Sequence, residues 1–152
     1  MKITVLGCSA SEGIPAVFCN CTLCKQARER KIFRTRSQIL IDDDMLIDFP
    51  PDTYYRSLIM GIELGKIENI LVTHSHCDHF YAGDFFARGD WSSFCLPVDT
   101  VTIHGNTAIR NAFEKNGYAR KKGAYVHESR GTINGYNVYD ISTEYTVHKP
   151  FE

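Results

Sequence analysis

The sequence predicts an α/β protein, and three observations predict it. Short apolar, β-branched runs recur along the chain, each too short for a helix. Stretches with helical spacing and helix punctuation lie between them. One of the short runs, Ile70-Leu71-Val72, opens directly into His74-Ser75-His76-Cys77-Asp78-His79, which puts three histidines and an aspartate within six residues.

In chain order, residues 2–7 read as a strand, and a small-residue loop from Gly7 to Pro15 follows it. Ser9 to Gly13 matches no phosphate-loop pattern. Leu23 to Arg30 reads as a short helix. The segment Arg28 to Arg36 carries Arg28, Arg30, Lys31, Arg34 and Arg36, which form either a solvated face or an anion-binding rim. Ser37 to Asp42 and Met45 to Asp48 read as a β-hairpin with Asp42-Asp43-Asp44 as its solvated turn. A helix is expected from Pro51-Asp52 to about Met60, stopped by Gly61 or Gly65.

After the central strand and its histidines, Phe80 to Arg88 reads as a helix with its aromatics in the core, and Gly89 to Pro97 as a loop that contains Trp91. A strand at Thr100 to Ile103, a helix at Thr107 to Lys115 and a turn at Asn116-Gly117 come next. Ala124 to Glu128 and Tyr136 to Ile141 read as two further strands. No repeat, low-complexity tract or domain linker is evident.

Composition bounds the function more than it describes it. The 152 residues suit one domain with a sizeable core, at 43% hydrophobic and 23% charged residues. A formal net charge of −1 offers no broad footprint for nucleic acid or an anionic membrane. No apolar run reaches the length of a membrane span. The N-terminus enters a strand without a secretory pattern, so the cytoplasm is the expected compartment.

The histidine run points to metal. On a continuing strand His74 and His76, at i and i+2, face the same side. Asp78 and His79 reach a second, adjacent point once the chain turns. Imidazole and carboxylate are the ligands that zinc and similar divalent cations prefer. Asp48 closes a strand where its carboxylate can orient a ligating histidine. A second metal group is expected at Cys19-Asn20-Cys21-Thr22-Leu23-Cys24, whose spacing suits thiolates converging on one ion. A closed site needs a fourth ligand, with His104, His127, Cys8, Cys95 or a residue outside this chain as the choices. Cys77 reads as a small turn residue, and Cys8 and Cys95 as small core residues.

His74-Ser-His76-Cys-Asp78-His79 resembles the HxHxDH signature of the metallo-β-lactamase fold superfamily of metal-dependent hydrolases. Leu6-Gly7 with Ser11, Gly13 and Pro15, the cysteine knuckle, Arg34-Thr-Arg36-Ser37 and Leu46-Ile-Asp48 with Pro51-Asp52 follow in family order. That series is similar to the branch containing the phosphodiesterase of the carbon–phosphorus lyase pathway. The PQQ biosynthesis protein B and the tRNA 3′-processing endonucleases are more distant relatives.

The resemblance implies an αβ/βα sandwich and a phosphodiesterase that hydrolyses a small cyclic or nucleotide-like phosphate ester with a metal-activated water. It implies two divalent ions, zinc or manganese. His74, His76 and a third histidine, matched by His148, would hold the first; Asp78 and His79 would hold the second. Asp78 would also orient the nucleophile. Cys19, Cys21 and Cys24 would hold a structural zinc, and Arg34 and Arg36 would contact substrate or brace the hairpin base.

Members of the branch have a longer chain. Residues 1–152 are therefore expected to be a single metallo-hydrolase domain truncated at its C-terminal side, the first half of the sandwich and the start of the second. The expected partners are the small substrate and either a second copy or a separate chain that supplies the other half, with no membrane or nucleic acid. The alternatives are a tRNA 3′-processing-type endonuclease and a non-catalytic truncated metal-binding domain.

Overall fold

The computed structural model describes residues 1–89, 93–115, 124–127, 131–133 and 136–138, the last three stretches as backbone strands. Its centre is one six-stranded sheet in sequential order: β1 (Ile3–Gly7), β2 (Gln38–Ile41), β3 (Met45–Ile47), β4 (Asn69–Leu71), β5 (Val101–His104) and β6 (Ala124–His127). The first three strands pair antiparallel and the last three join in parallel. Parallel neighbours need a crossover. These are supplied by α2 (Thr53–Met60), by a 3-10 helix at Ala82–Gly89 and by α3 (Thr107–Lys115). The helix α1 (Thr22–Glu29) lies between β1 and β2, and a separate hairpin pairs β7 (Gly131–Ile133) with β8 (Tyr136–Val138). No helix among the described residues is long and apolar enough to cross a membrane.

Register explains the core. Leu40, Leu46, Ile70 and Ile103 are successive partners across four strands, so their side chains form one row on one face of the sheet. All four are buried, together with Leu6, Phe49, Phe80, Phe85, Ile109 and Phe113. The opposite row runs Val5, Ile39, Ile47, Leu71, His104, and it is less covered: Val5 is exposed and Ile39, Ile47 and Leu71 are half-buried.

The local chemistry follows the sequence. Gly61 ends α2 in the left-handed conformation (φ 65°). Asp42 and Asp43 also have positive φ, as the tight hairpin turn requires, and Asp43 forms an exposed ion pair with Lys2. Gly7 is required by close approach: a Cβ there would lie 1.9 Å from the Arg36 carbonyl oxygen.

Three expectations are corrected. Residues 82–89 wind as a 3-10 helix and not an α-helix, so the inward positions repeat every third residue. Ala82 and Phe85 are buried as a result, whereas Phe86 and Tyr81 are exposed and not in the core. Cys8 and Cys95 are exposed rather than core residues. The strand at Gly131–Ile133 and a 3-10 turn at Leu64–Lys66 were not expected from the sequence, since each is three residues long and carries no periodic signal. Trp91, Asn116-Gly117 and His148 lie outside the described residues.

Candidate metal centre

The histidine run leaves β4 at the edge where strand order carries β3 alongside. Asp48 N–H donates to Leu71 O (2.8 Å), Phe49 N–H to His79 O (2.7 Å) and Tyr81 N–H to Phe49 O (2.7 Å). The first bond keeps Asp48 beside the end of β4, and the other two lay Phe49 against 79–81. Between them the chain closes a tight turn, with His79 N–H and Phe80 N–H both donating to His76 O. The turn brings three imidazoles together. Ring centroids of His74 and His79 are 4.0 Å apart, and those of His74 and His76 are 4.7 Å apart.

Asp48 organises the group. It is 4% exposed and holds a left-handed backbone (φ 64°), a conformation that aspartate tolerates better than most residues. His79 Nδ1 donates to its Oδ2 at 2.7 Å, so Nε2 keeps its lone pair and faces the cluster. Asp78 Oδ2 is 3.5 Å from that same Nε2, which brings the two expected ligands of the second ion to one point.

Asp48 also holds Thr73. Its Oδ1 accepts from the Thr73 backbone N–H and the Thr73 hydroxyl, both at 2.8 Å. With that proton spent, the Thr73 oxygen is the acceptor for His74 Nδ1–H at 3.1 Å, and His74 Nε2 is left as a metal donor. Burial first, then the neighbouring imidazoles of His79 and His76, hold His74 below the usual histidine range. It is therefore neutral at pH 7, as a ligand must be.

Thr73 was missed in the sequence. Its only signal was a hydroxyl residue directly ahead of the first histidine, which spacing rules do not weigh. Thr73→Val is expected to weaken metal binding about 10–100-fold, and Thr73→Ser to restore it. Competition with a chromophoric chelator measures both.

The cysteines form the tighter group. The sulfurs of Cys19, Cys21 and Cys24 all lie within 4.8 Å of one another and could hold a metal ion. Among the described residues no other set of three ligand atoms is gathered that closely. The knuckle sits at the start of α1, with Cys21 as N-cap and Cys24 buried beneath it. Arg28 ties the loop by donating to Cys19 O at 2.6 Å.

The Cys24 backbone N–H foremost, then the Cys19 and Cys24 thiols, lower the Cys21 pKa to about 7. Cys24 accepts the Ala16 N–H, which favours its thiolate, but burial and the neighbouring thiols outweigh this and raise its pKa. In the metal-free protein Cys21 is therefore expected to be the first thiol alkylated by iodoacetamide. Its rate should rise with pH and reach half its plateau near pH 7, while bound metal protects it. Peptide mass mapping reads this directly.

The expected fourth ligand is not supplied by the described candidates. His104 is buried with Nε2 2.8 Å from Asn69 Oδ1, and neither Cys8 nor Cys95 joins the sulfur group. The side chain of His127 is outside the described residues. Of the two arginines, Arg36 is committed to structure: its Nη1 pairs with Asp52 Oδ1 and its Nε donates to Ser11 O, each at 2.9 Å. Arg34 is exposed, and its backbone bridges to Ile14.

No protein-family profile matches the sequence. An octanoyltransferase of Porphyromonas gingivalis is 37% identical over 83 residues, 52% of this chain but 16% of that protein. Among solved structures, a diphosphatase from the PhnP family superposes with TM-score 0.65 at 26% identity, covering 85% of this chain and 51% of its own. Zn(2+)-bound PqqB from Methylobacterium extorquens gives TM-score 0.62 at 21% identity, covering 88% and 48%. The short form of human tRNase Z gives 0.57 at 20%, covering 84% and 44%. This chain thus spans about half the length of the solved proteins it resembles.

Proposed function

From a chain that has the metallo-β-lactamase fold and resembles the PhnP branch of it, we infer a metal-dependent hydrolase of phosphodiesters, acting on a small cyclic or nucleotide-like ester. The observation that carries this is the single buried carboxylate of Asp48, which fixes two imidazoles with their metal-binding nitrogens free and brings Asp78 beside one of them. The donor set of imidazole nitrogens and one carboxylate suits zinc or manganese.

His74 and His76 would hold one divalent ion, with His148 as their third partner, and Asp78 and His79 would hold the other. Bound there, the ions supply Lewis acidity that brings the pKa of a water toward about 7 and offsets charge developing on phosphoryl oxygens. The chain's residues do the positioning. Asp48 keeps His79 in one tautomer and orientation. Thr73 does the same for His74. Asp78 presents a carboxylate oxygen that can accept a proton from the attacking water and aim its lone pair at phosphorus. Arg34, unlike Arg36, is exposed and can meet a phosphate oxygen. The knuckle cysteines would hold a structural zinc away from this chemistry.

The test is turnover of bis(p-nitrophenyl) phosphate and of cyclic phosphate esters by the zinc- or manganese-loaded protein. Turnover lost in Asp78→Asn supports the reading, and no metal-dependent turnover rejects it. Cleavage of tRNA precursors in the same assay, with small esters untouched, would replace it with 3′-processing.

One observation favours a second reading. The thiols are the closest ligand group, so the domain could bind a single ion and do no chemistry. Metal analysis separates the two: about one zinc per chain supports that reading, and up to three supports the hydrolase.

A further inference from the structure

We propose that Gln38 is a positioning residue for the metal centre, holding Asp48 in the backbone conformation from which its carboxylate reaches His79 and Thr73. Gln38 is the first residue of β2 and is 2% exposed. Its Nε2 donates to Asp48 O (3.1 Å) and to Thr53 Oγ1 (2.9 Å). The neighbours force that orientation of the amide. A backbone carbonyl only accepts, and the Thr53 hydroxyl has already given its proton to Pro50 O (2.7 Å). The NH2 end must therefore face both, and Gln38 Oε1 is left buried with no donor among the described residues.

A buried acceptor without a donor destabilises the fold, and an apolar side chain of similar length would avoid it. Packing alone therefore does not account for a glutamine here. What the amide secures is Asp48. That residue holds φ 64°, a strained backbone for a residue with a Cβ. All its polar groups are engaged: the N–H donates to Leu71 O, the carboxylate meets Thr73 and His79, and the carbonyl takes Gln38. The N–H bond fixes the peptide plane before Asp48, and the Gln38 bond fixes the plane after it. Together they set the two backbone dihedrals of Asp48, and with them the direction of its carboxylate.

The same amide reaches α2. Thr53 is 1% exposed and is held inward by Gln38, and one turn later Ser57 Oγ donates to Tyr54 O (2.7 Å). The helix is thereby inverted: Thr53 and Ser57 are its buried positions, whereas Tyr54, Tyr55, Leu58 and Ile59 are exposed. Between Asp48 and Thr53 the chain runs Phe49-Pro50-Pro51-Asp52. Proline fixes φ, so this connection has little slack, and one amide anchors both of its ends.

The proposal rests on the hydrolase reading only for the ions that the imidazoles would take. Manganese(II) titration followed by electron paramagnetic resonance reads the imidazole–carboxylate group, because thiolates favour zinc. Gln38→Met, which keeps the length and removes the donors, is expected to weaken manganese binding about 10-fold. Circular dichroism and zinc at the knuckle should be unchanged. A long-range proton–nitrogen correlation spectrum of the metal-free protein gives a second readout. His79 is expected as the Nδ1–H tautomer in the wild type and as a mixture of tautomers in the variant. In an Asp48→Asn background Gln38→Met should add less than about twofold, since Gln38 acts through Asp48. Should Gln38→Met not fold, Thr53→Val, which is nearly isosteric and removes the second acceptor of Gln38, is expected to weaken manganese binding about threefold. Unchanged binding with an unchanged tautomer, or the full loss in the Asp48→Asn background, would overturn the proposal and leave the hydrolase reading standing. Missing phosphodiester turnover, with these shifts present, would remove the hydrolase reading alone.

Discussion

Asp78→Asn is expected to reduce kcat/KM for phosphodiesters by roughly a thousandfold or more, with the fold retained. Asp78 lies 3.5 Å from His79 Nε2, where in the proposed reading it would share the second ion and meet the attacking water. An amide there is a weaker, neutral ligand and accepts no proton. Returning the water's pKa from about 7 toward the ~9 of aqueous zinc removes about a hundredfold of hydroxide at neutral pH. Lost orientation of the nucleophile accounts for the rest. Because Asp78 is only half-buried, the thermal midpoint should move little. Metal analysis should show the loss of about one ion, with KM less affected than kcat.

The largest stability effect is expected at the knuckle. The described residues around Cys19, Cys21 and Cys24 have little core of their own: Val17, Phe18 and Leu23 are exposed, and Cys24 and Ala27 are the buried positions of α1. Without a cation the neighbouring sulfurs hinder one another's ionisation, as at Cys24, and little apolar packing takes their place, so the segment depends on what the sulfurs bind. At free zinc a thousandfold above Kd, binding adds about 4 kcal/mol to folding. For a chain of this size that is about 8–16 °C in Tm. Cys24→Ser is expected to lose that increment and one zinc equivalent, and strong chelation of the wild-type protein should reproduce the drop. Differential scanning calorimetry with and without chelator measures it. Since a thiolate is required, the knuckle's apparent affinity for metal should fall progressively as the pH is lowered below about 7, where Cys21 of the metal-free protein takes up its proton.

Much of the fold was legible because it is written in short-range signals. Thr107–Lys115 begins and ends where its punctuation places it, and Gly61 stops α2 because only a left-handed residue closes that turn cheaply. The Asp42-Asp43 turn has the residues a tight hairpin demands. What spacing rules missed was set by tertiary contact. The 3-10 winding at Ala82–Gly89 moves Phe86 outward, and no apolar periodicity distinguishes it from an α-helix. The inversion of α2 is visible only once Gln38 is seen to hold Thr53 inward.

At the site, residue types sufficed to propose His74, His76, Asp78 and His79 as ligands and to place Asp48 next to one of them, where it pairs with His79. They could not reveal that the Thr73 hydroxyl links the Asp48 carboxylate to His74 by hydrogen bonds, since Asp48 and Thr73 are 25 residues apart. Arg36 looked free for a phosphate for the same reason: its partner, Asp52, is 16 residues away.

The proposed chemistry requires that the turn after β4 gather its imidazoles and Asp78 around cations. Anomalous diffraction at the zinc edge, on crystals of the zinc-loaded protein, tests it most directly. The expected result is one peak bonded to His74 and His76 and another shared by Asp78 and His79, each at about 2.0–2.2 Å from its ligand atoms, besides a third at the three sulfurs. Zinc at the sulfurs alone, with no anomalous density between the imidazoles, would contradict it.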